Sequence, residues 1–290
     1  MSEAGGRLQR LRLRLVFGWR HRRALRLADP RRLTDRIQRR KLADRDPLMV
    51  AWTDKLAAKA MASDLLGPDW VTPTLWTGMV LPAEPNWPVP FVVKSRHGCN
   101  QNAFVRDEGF DWVALRRRAR RWIARPYGGL LDEWAYRDVP RGLVVEPFVG
   151  STGALPVDYK IFVFGGRASH VQVHLDRAGD HRWLVLDRDW RVVEGQGIDE
   201  IPERPASLAR LLAAAETIGA PFDFVRVDFY EVDGHPRFGE LSFYPGSGLL
   251  PVAPDALDVQ WGRLWRAAEL RKRIRLVADA MPRENERSVA

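Results

Sequence analysis

Residues 226–243 read RVDFYEVDGHPRFGELSF. Phe224, Val225, Val227 and Phe229 make a β-rich apolar run, "VDGHP" is a turn, and Phe238, Leu241 and Phe243 begin a second run. The stretch predicts a β-hairpin. Side chains alternate between faces along a strand, so Arg226, Asp228 and Tyr230 share one face. Phe238, Glu240 and Ser242 are expected to share a face on the second strand. Pairing through Asp233-Gly234 brings Asp228 and Glu240 close to facing each other. Adjacent carboxylates repel, so a cation belongs between them. Mg2+ is the usual partner where paired carboxylates also hold a phosphate-bearing substrate. The plainer alternative is an Asp on a solvated strand face.

The chain has 290 residues, 46% hydrophobic and 10% aromatic, enough for one large domain or two to three small lobes. Cys99 is the single cysteine. That excludes an internal disulfide and a cysteine-rich zinc site, and it suits a reducing cytoplasm. No apolar stretch approaches the length of a membrane span, and the N-terminus has no clean apolar core of a signal peptide. Localisation is expected to be cytoplasmic, or peripheral at the inner membrane face.

The net charge of +9 is unevenly spread: residues 1–45 carry 15 Lys/Arg and 4 Asp/Glu, leaving 31 basic and 33 acidic residues for the rest. The body is near neutral and the N-terminal arm holds the charge. Its "LQRLRLRLVFGWRHRRALRL" is basic and partly amphipathic. It is expected either to be a solvated or docked helix, or to meet an anionic membrane surface or polyanion. No motif for specific nucleic-acid recognition is visible.

Further along, "TDKLAAKAMASDLLG" predicts a helix capped by Thr53 or Asp54 and stopped by Gly67. "VPFVVKSRHG" predicts a strand ending in Lys94, "WVALRRRARRWIA" a basic helix and "GLVVEPFVG" a buried strand. "DYKIFVFGGRASHVQVHLD" predicts two strands joined at Gly165-Gly166, and "RWLVLDRDWRVVE" another pair. "SLARLLAAAETIGA" and the closing "WGRLWRAAELRKRIRLVADAM" predict helices. The pattern is mixed α+β with antiparallel hairpins after residue 144.

The order of these pieces resembles the ATP-grasp superfamily. Within it, "FVVKSRHG", "EWAYRDVPRGLVVEPFVG", "PVDYKIFVFGG" and "RVDFYEVDGHPRFGELSFYPGSG" are similar to the TupA-like group, associated with teichuronopeptide and other cell-surface polysaccharide synthesis. The resemblance covers roughly residues 47–265. It implies an α+β ATP-grasp fold in which two lobes, each with an antiparallel sheet, hold ATP between them. A basic helical arm (1–46), a first lobe (47–145) and a second lobe with the metal site and C-terminal helix (146–290) are the expected divisions.

The resemblance also implies roles. Lys55 and Lys94 would neutralise ATP phosphates. Arg96 and His97, in the glycine-poor loop after Lys94, would add charge there. Glu146 would sit at the hinge, with Phe148 and Val149 offering backbone groups to adenine. Asp158 would hold the ribose, and Lys160 would reach the phosphates or pair with Asp158. Asp228 and Glu240 would ligate Mg2+, helped by Ser242 where most relatives carry Asn. Arg226, with Lys94, would stabilise charge at the transferring phosphate. "FYPGSG" would approach the acceptor. The implied reaction joins a carboxylate to an amine or thiol through an acyl phosphate. A kinase acting on a sugar or lipid-linked acceptor, and a non-catalytic nucleotide-binding partner of a glycosyltransferase, are the alternatives.

Overall fold

The computed structural model of the chain describes residues 3–150, 155–175, 182–196 and 201–280. In chain order the elements are α1 (Glu3–His21), α2 (Leu33–Ala43), α3 (Pro47–Thr53), α4 (Lys55–Leu66), β1 (Trp76–Gly78), β2 (Phe91–Ser95), β3 (Asn102–Val105), α5 (Trp112–Ile123), α6 (Trp134–Arg137), β4 (Leu143–Pro147), β5 (Asp158–Phe164), β6 (Arg167–Leu175), β7 (Arg182–Asp187), β8 (Val192–Gln196), α7 (Leu208–Gly219), β9 (Phe224–Val232), β10 (His235–Ser242) and α8 (Asp255–Ala280). Short 3-10 turns lie at Pro68–Trp70 and Pro245–Gly248. The strands form two antiparallel sheets, in the orders β1-β4-β2-β3 and β10-β9-β5-β6-β7-β8.

Local chemistry sets the element ends. The Asp54 carboxylate accepts the Leu56 amide 3.0 Å away and starts α4, satisfying one of the orphan N–H groups of a first turn. Gly67, at φ 102, ends it. Asp111 caps α5 in the same way through the Ala114 amide. Leu115 and Ala119, four residues apart, bury one stripe of α5 against Phe91, Val93, Leu143 and Val145 of the small sheet. Its arginines 117, 118, 120 and 121 face solvent.

The larger sheet is covered on both faces. Val163 packs under α7, where a Cβ on Gly219 would lie 2.5 Å from Val163 Cγ1. Phe162 stacks on Trp261 of α8 at 4.2 Å between ring centroids. The same core takes in Leu33 and Ile37 of α2, Met49 and Trp52 of α3, and Ala58 and Ala62 of α4. The division drawn in the sequence at residues 46 and 47 is therefore corrected. α2 belongs to the body, and α3 and α4 belong to the core of the large sheet rather than to the first lobe. Apolar periodicity says that a helix buries a face, not which sheet will receive it.

Much of the arm's charge is consumed in that docking. Arg32 pairs with Asp255 at 2.6 Å, Arg36 with Glu269 at 2.9 Å and Arg39 with Glu269 at 2.6 Å. Arg40 pairs with Asp223 and lies 4.2 Å over the ring of Trp265.

The hairpin forms through Asp233 and Gly234, both at positive φ (51° and 73°), as a two-residue hairpin turn demands. One expectation fails within it. The register runs Phe238 opposite Phe229 but Glu240 opposite Asp228, with a bulge at Gly239. Phe238 therefore faces the core with Phe229, and Glu240 faces the other way. A simple hairpin would have put Gly239 opposite Asp228. The extra residue re-aims Glu240 onto the face of Asp228.

α8 meets the chain preceding α2 at Gly262, where a Cβ would lie 2.1 Å from the Arg31 carbonyl oxygen. Gly262→Ala is expected to lower the unfolding free energy by about 1–3 kcal/mol, read from urea denaturation. An unchanged midpoint would mean that this segment is not pressed onto α8.

Candidate functional site

On one face of the large sheet the register aligns Glu240, Asp228 and Lys160 across β10, β9 and β5. The adjoining rows place Ser242 beside Arg226 and Tyr230 beside Asp158. This is the end of the face that α8 leaves uncovered. Asp228 is buried, 3% exposed. Arg226 grips it with two hydrogen bonds of 2.6 Å, Nε to Oδ1 and Nη2 to Oδ2. Lys160 donates to Asp228 Oδ2 at 2.6 Å and pairs with Asp158 at 2.7 Å. Burial pushes the Asp228 carboxyl up, but Arg226 and Lys160 outweigh it and hold it below the ordinary value. Arg226 is likewise disfavoured by burial and held firmly charged by Asp228. Glu240 is half-buried and makes no ion pair with a described side chain.

The small sheet contributes from the face opposite α5. Lys94 and Glu146 lie there on neighbouring strands and pair at 2.6 Å. Lys59, one helical turn after Lys55 on α4, binds the other Glu146 oxygen at 2.6 Å. Burial raises the Glu146 carboxyl and the two lysines more than reverse it. Tyr230, from the large sheet, bonds to Thr72 and lies within the electrostatic reach of Lys94 and Glu146. Glu240 acts in the same way on Lys55 and Lys94. The charges of both sheets therefore converge on one region: Lys55, Lys59, Lys94, Lys160 and Arg226 against Glu146, Asp158, Asp228 and Glu240. The chemistry of such a surface suits a polyanion together with a small hard cation.

Loop 95–101 departs from the expectation. Arg96 grips Asp54, the cap of α4, with Nε 2.6 Å from Oδ1. His97 is fully buried against the Trp122 carbonyl. Neither is free for a phosphate. Lys55 donates to the Gly98 carbonyl, so the loop is folded onto α4 through it. Burial, followed by Glu240, pushes the Cys99 thiol up to about 11, which favours the thiol over the thiolate at neutral pH.

At the hinge, the Phe148 amide already donates to the Pro90 carbonyl at 3.0 Å. Of the two backbone positions expected for adenine, Val149 alone makes no backbone bond to a described residue. The Phe148 ring meets Phe104 edge-on at 5.9 Å and lies under Arg106, an apolar wall with a cation above it, suited to a purine. Residues 151–154 of the insertion before Asp158 lie outside the described residues.

Sequence reading missed the support of the loop at Pro245–Gly248. Gly246, Ser247 and Gly248 all have φ between 54° and 60°. Gln38 of α2 donates to the Ser247 and Gly248 carbonyls at 2.9 and 3.0 Å. Lys41, fully buried, donates to the Ser247 carbonyl at 2.7 Å and to its hydroxyl at 2.6 Å. Burial lowers the Lys41 ammonium to about 8, against the opposing pull of Glu133 and Asp132. The available signal was Gln38 and Lys41 three residues apart on one face of α2. Lys59 was legible in the same way, four residues after Lys55.

Among the described residues no group of three or more His, Cys, Asp or Glu side chains is placed to hold a metal ion. Asp228 and Glu240 are a pair, with the Ser242 hydroxyl on the face of Glu240. Mg2+ is commonly held by one or two carboxylates plus substrate phosphates, and this all-oxygen set fits that arrangement. Glu240 is its unpaired member, whereas Asp228 is already shared between two cations.

The fold has counterparts among solved structures. D-alanine–D-alanine ligase from Bacillus anthracis, in complex with ATP, superposes with a TM-score of 0.50 at 15% identity, over 80% of this chain and 69% of that one. N5-carboxyaminoimidazole ribonucleotide synthetase from Thermus thermophilus gives 0.42 at 18% identity over 73% and 51%. L-amino acid ligase from Bacillus licheniformis gives 0.40 at 16% identity over 66% and 41%. No protein of curated function matches the chain. The architecture of two antiparallel sheets is thus the ATP-grasp fold. The model of the TupA-like ATP-grasp family matches residues 35–265, and the chain belongs to that family. The match begins at the start of α2, earlier than the motifs indicated.

The pair of acids yields an asymmetric prediction. Asp228→Asn strands Arg226 and Lys160 and is expected to destabilise the ligand-free protein by about 3 kcal/mol or more. Glu240→Gln, which breaks no ion pair, is expected to leave its melting temperature unchanged or raised. Because the Asp228 carboxyl is depressed in the folded state, its contribution is present above the ordinary value of 3.8 and is lost as pH falls below it. The stability gap between parent and Asp228→Asn should close in that acid range. Equal melting temperatures of the two variants at neutral pH would remove the asymmetry.

Lys41 gives a test of opposite sign. Its folded value of about 8 lies below the ordinary 10.5, so the unfolded chain binds more protons between them and stability rises with pH there. The difference in unfolding free energy between parent and Lys41→Met should shift in favour of the parent from about pH 8 to about pH 10. A flat difference would place Lys41 in water.

Proposed function

We propose that the chain is an ATP- and Mg2+-dependent ligase that joins a carboxylate to an amine in the synthesis of a cell-surface polysaccharide or peptide-modified glycan. The observation that carries this reading is the aligned row Glu240–Asp228–Lys160, with Lys55 of α4 on the same lobe and Lys94 of the small sheet both within electrostatic reach of Glu240. Five cations and a free carboxylate suit a triphosphate with its metal. Among the described residues no Ser-His-Asp set meets them, and Cys99 is held as the thiol. The superposition with an ATP-bound ligase supports the fold on which the reading stands. The polysaccharide assignment rests on the resemblance to the TupA-like group.

In this reading the substrate carboxylate takes the terminal phosphoryl group of ATP and releases ADP. An amine then attacks the acyl carbon, expelling phosphate and losing a proton. The chain's task is positioning and charge stabilisation. Glu240, Asp228 and Ser242 would hold Mg2+, which would supply charge neutralisation to the phosphates. Lys94 and Lys55 supply donors to the phosphates, for which Lys94 exchanges Glu146 and Lys55 the Gly98 carbonyl. Arg226 keeps its full charge beside the reacting phosphate because Asp228 fixes its guanidinium. Val149 and the Phe148 ring flank adenine. The loop at Gly246–Gly248, set from below by Lys41 and Gln38, borders the acceptor.

Mg2+–ATP should raise the melting temperature, and ATP with EDTA should raise it less. At a ligand concentration of 100 Kd the gain is about 2.7 kcal/mol. Lys94→Met should reduce turnover about 100-fold or more, since an electrostatic contact at the reacting phosphate is worth roughly 3 kcal/mol. Release of ADP should require a carboxylate and an amine together, with an amide as product. ADP release without amine, accompanied by a stable phosphorylated acceptor, would make the protein a kinase. No thermal shift at millimolar ATP, with acceptor present, would overturn the nucleotide reading.

A further inference from the structure

α1 has two apolar faces, and only one is used by the fold. Leu13 and Phe17 are buried against Leu25 and Leu249. Arg12 pairs with Asp132 at 2.5 Å, and His21 Nε2 donates to the Gly248 carbonyl at 3.0 Å. The helix is thus fixed to the body along one side. On another side Leu8, Leu11, Leu15 and Trp19 are 69%, 54%, 65% and 76% exposed. Their spacing of three and four residues places them in one stripe along the helix.

Charge borders that stripe. At 3.6 residues per turn, Arg7 and Arg14 fall along one edge and Arg12 along the other. Arg7, Arg10 and Arg14 are exposed and pair with no described side chain. Trp19 ends the stripe, with the Arg20 guanidinium 5.5 Å from its ring centre. Below it opens a groove of about 590 Å3, lined by Leu8, Leu11, Leu15 and Val16 and edged by Arg137 and the Arg12–Asp132 ion pair.

We infer that α1 is an interfacial anchor, lying in the surface of an anionic bilayer with Leu8, Leu11, Leu15 and Trp19 among the acyl chains and its arginines at the phosphate level. A basic helix with exposed Leu and Trp is the chemistry that partitions to such a surface, and long cationic side chains at its edges reach back to the headgroups. A soluble polyanion accounts for the arginines alone and leaves four large apolar side chains in water. A second copy of this chain, with its net charge of +9, would cover the leucines but set the unpaired arginines against like charge. The lipid surface satisfies both, and the groove accepts part of an acyl chain. No helix among the described residues is long and apolar enough to cross a membrane, so the attachment is peripheral. Because α1 also carries the contacts to Gly248 and Leu249, the anchor lies directly behind the loop assigned to the acceptor. Vesicle binding depends on α1 alone, and loss of it leaves nucleotide affinity intact.

The test is co-sedimentation of the full chain with vesicles of phosphatidylcholine, with and without phosphatidylglycerol. The parent should pellet with the anionic vesicles and not with the neutral ones. The variant Leu11→Gln/Leu15→Gln/Trp19→Gln should lose about tenfold or more of that partitioning, with a cooperative melting transition near that of the ligand-free parent retained as proof of folding. The variant Arg7→Gln/Arg10→Gln/Arg14→Gln should also bind less, most clearly at low salt. Pelleting of the apolar variant equal to the parent overturns the inference. So does a parent that binds soluble polyphosphate but no vesicle, and so does a parent that is dimeric in solution and made monomeric by the apolar variant.

Discussion

The site depends on one buried carboxylate held between two cations. Asp228 is buried on β9, the second strand from the edge of the large sheet, where an isolated charge would be expelled. Arg226 from its own strand and Lys160 from the next remove that penalty, and in return Asp228 fixes both in place. The guanidinium is thereby kept charged and oriented before any ligand arrives, and such preorganisation makes electrostatic stabilisation effective. The same arrangement explains why the two acids of the hairpin are not equivalent. Asp228 is structural in the ligand-free protein and Glu240 is not.

Order and chemistry together made the fold readable from the chain. The cap at Asp54, the stop at Gly67 and the two-residue turn at Asp233-Gly234 are local, and the structure bears them out. The facing of Asp228 and Glu240 was also expected, though for an incomplete reason. Strict alternation would have set Phe238 and Glu240 on one face, and only the extra residue at Gly239 separates them. A single glycine in a strand pattern signals such a bulge, but not which neighbour it turns. The partners of Arg96 and His97 were illegible because they depend on contacts with Asp54 and Trp122, remote in sequence.

The N-terminal segment shows how one composition can serve two physical purposes. Counted as charge, residues 1–45 are a single basic block. In the fold they separate. From Arg32 to Arg40 the guanidinium groups meet Asp255, Glu269 and Asp223 and tie α2 to α8 and the large sheet. In α1, Arg7, Arg10 and Arg14 meet no described acid. Net charge alone could not draw that line, since it depends on where acids roughly 200 residues later return in space. α2 in turn supplies Gln38 and Lys41 beneath the loop at Gly246–Gly248, so the segment is part of the site's foundation.

The bulge at Gly239 has a second effect, on the sheet's outer border. β10 is the terminal strand of the six-stranded sheet, and a terminal strand offers unpaired amides and carbonyls to any extended peptide. Here Pro236 removes one donor and Gly239 breaks the regular spacing of the rest. Arg237 and Glu240 add charge on either side of that break. An incoming strand would find neither a continuous ladder nor a neutral surface. The residue that turns Glu240 into the site therefore also guards the molecule against strand-to-strand self-assembly.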